Sequence, residues 1–195
     1  MIDFYIGLFL ATLITALFTT RLYRLLLWYG LNSIFLALVG IESGIILHDR
    51  ALLITGVLTL VLKGLVLPYV LKFLASKFHL TRQIQPNIKI PYSILLVPAI
   101  IVFTYYLTSP IALHFSEHQT YISLSISALL LSLLLMLEHT NIAPKIVGFL
   151  MMENALFLLG ISATEGMPMI VELGVFFDLL MAVVVINLLL KAEHV

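Results

Sequence analysis

Seven apolar stretches, each near the thickness of a bilayer when helical, constrain this chain more than any other feature. They cover about residues 4–20, 25–47, 51–73, 92–109, 120–137, 144–163 and 168–190. A hydrocarbon core of roughly 30 Å needs about 20 helical residues, because each residue rises about 1.5 Å. Inside lipid every backbone N–H and C=O must be satisfied by the protein itself, which leaves helices or a closed barrel. The runs are far longer than barrel strands and lack a period of two. The expectation is an all-α polytopic membrane protein. Composition agrees, at 62% hydrophobic, 10% charged and a mean hydropathy of +1.17. A soluble domain is about half apolar and about a quarter charged.

The connecting sequence is short. The longest polar gap, 75–91 (ASKFHLTRQIQPNIKIP), holds Pro86 and Pro91 and reads as a loop. A second gap, about 110–119, carries Pro110, His114, Glu117 and His118. Neither is long enough for a separate soluble domain, so 1–195 reads as one integral membrane domain. The start, MIDFYIGLFLATLITALFTTR, has an acid before its apolar run and no small-residue cleavage site; it reads as a retained first helix. Net charge is zero, which gives no basic surface for nucleic acid. The absence of cysteine excludes disulfides, thiolate metal sites and iron–sulfur clusters held by this chain.

Orientation follows from the basic residues. Arg21, Arg24, Lys72, Lys77, Arg82, Lys89, Lys145 and Lys191 fall on one side of a seven-helix arrangement; Arg50 falls on the other, and Lys63 lies inside a helix. Cytoplasmic loops are enriched in Lys and Arg, so the N-terminus is expected outside and the C-terminus in the cytoplasm, in the inner cell membrane. A glycine echo at an offset of 118 residues pairs Gly30 with Gly148 and Gly56 with Gly174. It raises a parallel repeat of three helices, 1–74 and 120–195, joined by an extra helix over 92–109.

Charge within these stretches carries the functional signal. Lys63, Glu153 and Asp178 lie near the middle of their runs, Glu172 nearer the outer face, and Glu42 about a turn and a half from the outer end of the second run. Glu165, in the SATEGMP turn, is expected in solvent. A charge at the bilayer centre costs roughly 2.5–3.5 kcal/mol on insertion scales, so these groups must face protein or a wet cavity. Lys63, Glu153 and Asp178 share a similar depth, and Asn154, Asn32, Thr59 and Thr55 are placed to extend a polar layer. Two readings stay open. Burial and opposite charge push a buried acid's proton affinity in opposite directions, which suits a proton relay. The plainer alternative is a Lys–acid pair that fixes helix packing. Pro68, five residues after Lys63, frees a carbonyl near Gly64 and reads equally as a packing kink; Pro98 does the same with no charge nearby. His114 and His118 stand at i, i+4 in a gap without helical signal, so no metal site is expected there. Met151 and Met152 read as packing residues.

LTLVLKGLVLPYVLKFL (58–74) resembles the lysine–proline helix of component E of hydrogenase-4-type complexes. IVGFLMMENALFLLG (146–160) and VELGVFFDLLMAVVVINLLLK (171–191) resemble the C-terminal half of that membrane subunit. The last three helices are also similar to the K-type subunit of respiratory complex I and the C subunit of Mrp-type antiporters. Asp178 falls where the second glutamate of those subunits would stand; the first would fall at Leu150, and Glu153 lies three residues on, roughly on the same face. The resemblance implies a non-catalytic subunit of an energy-converting membrane oxidoreductase, with Glu153, Asp178, Lys63, Glu172 and Glu42 in proton or sodium translocation. It implies antiporter-like membrane subunits, an arm-anchoring subunit and peripheral redox subunits as partners. The nickel–iron centre and iron–sulfur clusters would belong to those partners, and no cofactor to this chain. A purely structural scaffold and a stand-alone ion transporter are the alternatives.

Overall fold

The computed structural model describes residues 1–77, 90–110, 119–139 and 141–164. Helix α1 spans Ile2–Leu17, α2 spans Leu22–Ile46 and α3 spans Arg50–Thr59. A π-helical segment, Leu60–Val66, runs on into α4, Leu67–Lys77. Helices α5 (Ile90–Thr108), α6 (Gln119–Glu138) and α7 (Ile142–Thr164) follow. The expected runs from 4–20 to 144–163 each correspond to one of these helices or to the α3–π–α4 rod. The expected run 168–190, with Asp178 and Glu172, lies outside the described residues, as do Glu165, His114, Glu117 and His118.

Among the described residues, four helical stretches are long and apolar enough to cross a membrane: Leu22–Ile46, Arg50–Ser76, Thr120–Glu138 and Ile142–Ala163. Ile2–Leu17 and Tyr92–Thr108 are shorter apolar helices. The outward face of the rod bares Ile54, Val57, Leu65, Tyr69 and Phe73, and that of α5 bares Tyr92, Leu95, Phe103 and Tyr106. So continuous an apolar surface is compatible with lipid and not with water.

Cross-links at the helix ends define an up–down order. The Met1 ammonium lies 3.2 Å from Glu42 Oε1, and Tyr121 Oη donates to Asp3 at 2.6 Å. These contacts put the start of α1, the end of α2 and the start of α6 at one end of the bundle. At the opposite end Ser93, early in α5, donates to Glu138 at the end of α6.

Helix α2 is the axis of the bundle, packed against α1, α3, the π segment, α4 and α7. Its turn into α3 is tight for local reasons. His48 takes a left-handed conformation (φ 52°), and the Asp49 N–H reaches back to the Gly44 carbonyl at 3.0 Å. This is the geometry that ends a helix by satisfying its last carbonyls. Asp49 then caps α3, its carboxylate accepting from the Ala51 N–H (2.8 Å) and the Leu52 N–H (3.4 Å). The two helices pack almost backbone to backbone. A Cβ on Gly56 would lie 2.9 Å from Ile41 N and 3.2 Å from the Ala37 carbonyl oxygen. Small residues at such crossings are how membrane helices gain close van der Waals contact.

Two apolar clusters fill the interior. One contains Leu13, Leu25, Tyr29, Leu135, Leu150 and Met151, the last in the packing role its sequence suggests. The other contains Ile6, Phe9, Leu36, Ala128, Ala155 and Leu158. On α2 the sequence between them includes Asn32 and Ser33, on α7 it includes Glu153 and Asn154, and on α1 it includes Thr12; all five are buried. The polar layer is a seam between two apolar blocks.

Gly56→Val tests the α2–α3 crossing. Overpacking of this kind typically costs about 1–3 kcal/mol, so the variant is expected to unfold at a lower temperature in detergent. Ile54→Val on the exposed face is expected to leave the midpoint near that of the parent protein.

Candidate functional site

Lys63 stands in the middle of the π segment, where each turn closes with one more residue than in an α-helix. The Leu67 N–H bonds the Leu62 carbonyl, an i→i−5 bond. The next donor would be residue 68, but Pro68 has none, so neither the Lys63 nor the Gly64 carbonyl receives a hydrogen bond from that position. The expected effect of Pro68 therefore takes the form of a π turn beside the lysine. Its ring sits over Gly30 of α2, where a Cβ would lie 3.3 Å from Pro68 Cγ and 3.5 Å from the Gly64 carbonyl oxygen. A Cβ on Gly64 would meet Ile34 Cγ1 at 3.1 Å. These contacts hold Lys63 at the level of residues 30–34 of α2. Pro98, by contrast, lies within a continuous α5.

Across that level Lys63 Nζ meets Glu153 Oε1 of α7 at 3.1 Å. The side chains are 3% and 5% exposed. Taking each ion out of water costs several kcal/mol, which close approach of the opposite charge offsets. Beside the pair, α7 and α2 bring their amides into contact. Asn154 Nδ2 donates to Asn32 Oδ1 at 3.0 Å and to Ser33 Oγ at 2.9 Å. Asn32 Nδ2 donates to the Phe9 carbonyl at 3.0 Å and to Thr12 Oγ1 at 3.2 Å. An ion pair and an amide chain thus join α1, α2, the π segment and α7 at one depth.

The expected residues fall in different places. Lys63, Glu153, Asn154 and Asn32 come together. Thr59 is buried on the rod, one turn before Lys63, and Thr55 closes on its own Ala51 carbonyl at 2.9 Å. Glu42 stands apart, ten residues beyond Asn32 along α2, which is about 15 Å, and pairs with the Met1 ammonium; its side chain is 24% exposed.

One buried acid escaped the sequence reading. Glu138, at the end of α6, is 1% exposed and accepts from the Ser93 hydroxyl of α5. His139 beside it is also buried, with Nδ1 2.9 Å from the Leu135 carbonyl, which can only accept, so Nδ1 carries the proton. The readable signal was an acid in the last turn of a helix, where the helix dipole disfavours negative charge. Among the described residues, no group of three His, Asp or Glu side chains is arranged to hold a metal ion.

Glu153→Gln removes the carboxylate that Lys63 meets and is expected to cost about 3–5 kcal/mol, the usual penalty for breaking a buried pair. Lys63→Met combined with Glu153→Leu is expected to recover much of that loss. Thermal unfolding of the full chain in detergent reads both.

Comparison with known proteins gives one informative likeness. The chain is 30% identical over 168 residues to the uncharacterized protein Rv0085 of Mycobacterium tuberculosis (strain ATCC 25618 / H37Rv), spanning 85% of this chain and 75% of that one. No family model matches the chain, and no solved structure does.

Proposed function

The chain belongs to the family of the mycobacterial protein Rv0085, and from the resemblance of its helices to component E of hydrogenase-4-type complexes we propose that it is a non-catalytic membrane subunit of a complex I-related, hydrogenase-4-like complex. In this reading seven helices span the inner membrane, with the N-terminus outside and the C-terminus cytoplasmic. Antiporter-like subunits and an arm-anchoring subunit flank it. A peripheral redox arm holds the nickel–iron centre and iron–sulfur clusters. Lys63 and Glu153, with Asp178, Glu172 and Glu42, form a segment of a polar axis that carries protons or sodium ions.

The observation that carries the reading is the Lys63–Glu153 pair, with both partners almost wholly buried between apolar helices. Intramembrane ionisable residues are expensive and mark ion pathways by default. Transfer of a proton from Lys63 to Glu153 converts two charges into two neutral groups, and the reverse restores them. Either direction changes the field felt by any acid at the same depth, which is how a neighbouring site is driven. The π turn supports the reading too, because such turns concentrate at functional sites. The scaffold reading has its own support in the 3.1 Å separation, which suits a pair that fixes helix register.

The two readings part in an assembled complex. Asp178→Asn, and separately Lys63→Met with Glu153→Gln, are expected to preserve assembly and redox turnover while ion pumping falls at least about tenfold, a change of about 1.4 kcal/mol or more in the coupling step. Pumping that is unchanged in both sinks the relay. Loss of assembly, with pumping per assembled complex intact, establishes the scaffold.

A further inference from the structure

The hydrogen bonds of the amide chain have a fixed direction. The Phe9 carbonyl can only accept, so Asn32 must offer it the amino group, as it does at 3.0 Å. Thr12 Oγ1 gives its proton to the same carbonyl at 2.7 Å and so can only accept from Asn32. With its amino group turned to α1, Asn32 presents Oδ1 to α7. Asn154 must answer with its own amino group, and both of that group's hydrogens are used, on Asn32 Oδ1 and Ser33 Oγ. Turning the Asn154 amide over would set two carbonyl oxygens face to face.

Asn154 Oδ1 is what this direction leaves over. Asn154 is 0% exposed, and Oδ1 has no hydrogen-bond donor among the described residues. Leaving such an acceptor unmet costs about 1–3 kcal/mol. The residue before it is Glu153, whose ionised carboxylate also accepts and cannot donate. Both lie in one layer, since Asn154 is bonded at the level of Asn32 and Ser33, and the Lys63 segment is seated against Gly30 and Ile34. Asn154 Oδ1 calls for a donor, and a carboxylate that already meets Lys63 keeps lone pairs for a second hydrogen from the same donor. A metal cation would also suit an amide oxygen, but it would stand beside the Lys63 ammonium.

We propose that Asn154 Oδ1 is the seat of one internal water molecule, which donates one hydrogen to Oδ1 and the other to the Glu153 carboxylate. The water joins the ion pair to the amide chain and heads a one-way run of donors through Asn154 and Asn32 to the Phe9 carbonyl of α1. A buried water generally makes two to four hydrogen bonds to polar groups, which this seam supplies. The inference stands on hydrogen-bond direction alone and does not depend on the relay reading.

The test is a density map of the full chain in lipid nanodiscs, at a resolution that shows ordered water. The expected result is a peak within hydrogen-bonding distance of both Asn154 Oδ1 and a Glu153 carboxylate oxygen. The same peak is expected to vanish in Asn154→Leu. A dry Oδ1 in the parent protein overturns the proposal, as does an Oδ1 that accepts from Lys63 or from a side chain of residues 165–195. The parent map decides the matter even if the variant does not fold.

Discussion

An ammonium and a carboxylate 3.1 Å apart, both shut off from solvent, set the terms on which the middle of this bundle is built. Neither charge is tolerable alone at that depth. The pair obliges the rod and α7 to meet at one height, with α2 beside both. The rest of the site follows from that requirement. The π turn brings Lys63 round to face α7, and Pro68 removes the backbone donor that would compete with the longer-range bond. Gly30 makes room for the proline ring, and Gly64 lets the turn lie against Ile34. Each of these residues looks like a local oddity in the sequence, and each serves the same pair.

The amide chain is a second device with the same address. Asn32 and Asn154 are buried as completely as any leucine, yet among the described residues their side-chain polar atoms other than Asn154 Oδ1 are hydrogen-bonded. Their position between the two apolar clusters means that the bundle is divided by depth into apolar, polar and apolar blocks. Such a division gathers the buried polar and charged side chains into one plane between two apolar blocks. Glu138 and His139 form a separate polar group at the end of α6, with Leu131, Leu135 and Leu150 among the buried apolar side chains of the intervening region. The seam and the helix-end group are therefore distinct features.

Kinship with the Rv0085 protein extends over most of both chains, so the architecture is shared as a whole and not as a single motif. The charges that make the centre distinctive lie on the rod and on α7, far apart in sequence and joined only by folding. Any account of what this chain does has to explain why its lysine and glutamate are kept out of water together.

Much of the architecture was legible in the chain because a bilayer makes depth a matter of counting. The apolar runs, their lengths and the mid-depth position of Lys63, Glu153, Asn32 and Asn154 all follow from a rise of about 1.5 Å per residue. The polar layer could be anticipated for the same reason, since charge at that depth must turn inward. What counting does not supply is rotation about each helix axis. Which acid Lys63 meets depends on a π turn that shifts every following side chain around the rod. Thr55 sits at a plausible depth and yet bonds within its own helix. Glu138 reads as an ordinary helix-end acid until α5 packs over it and Ser93 reaches its carboxylate. Depth is set along one dimension by the membrane and is written in the sequence. Lateral partnership is set by how side chains interlock across helices, and only the tertiary structure decides it.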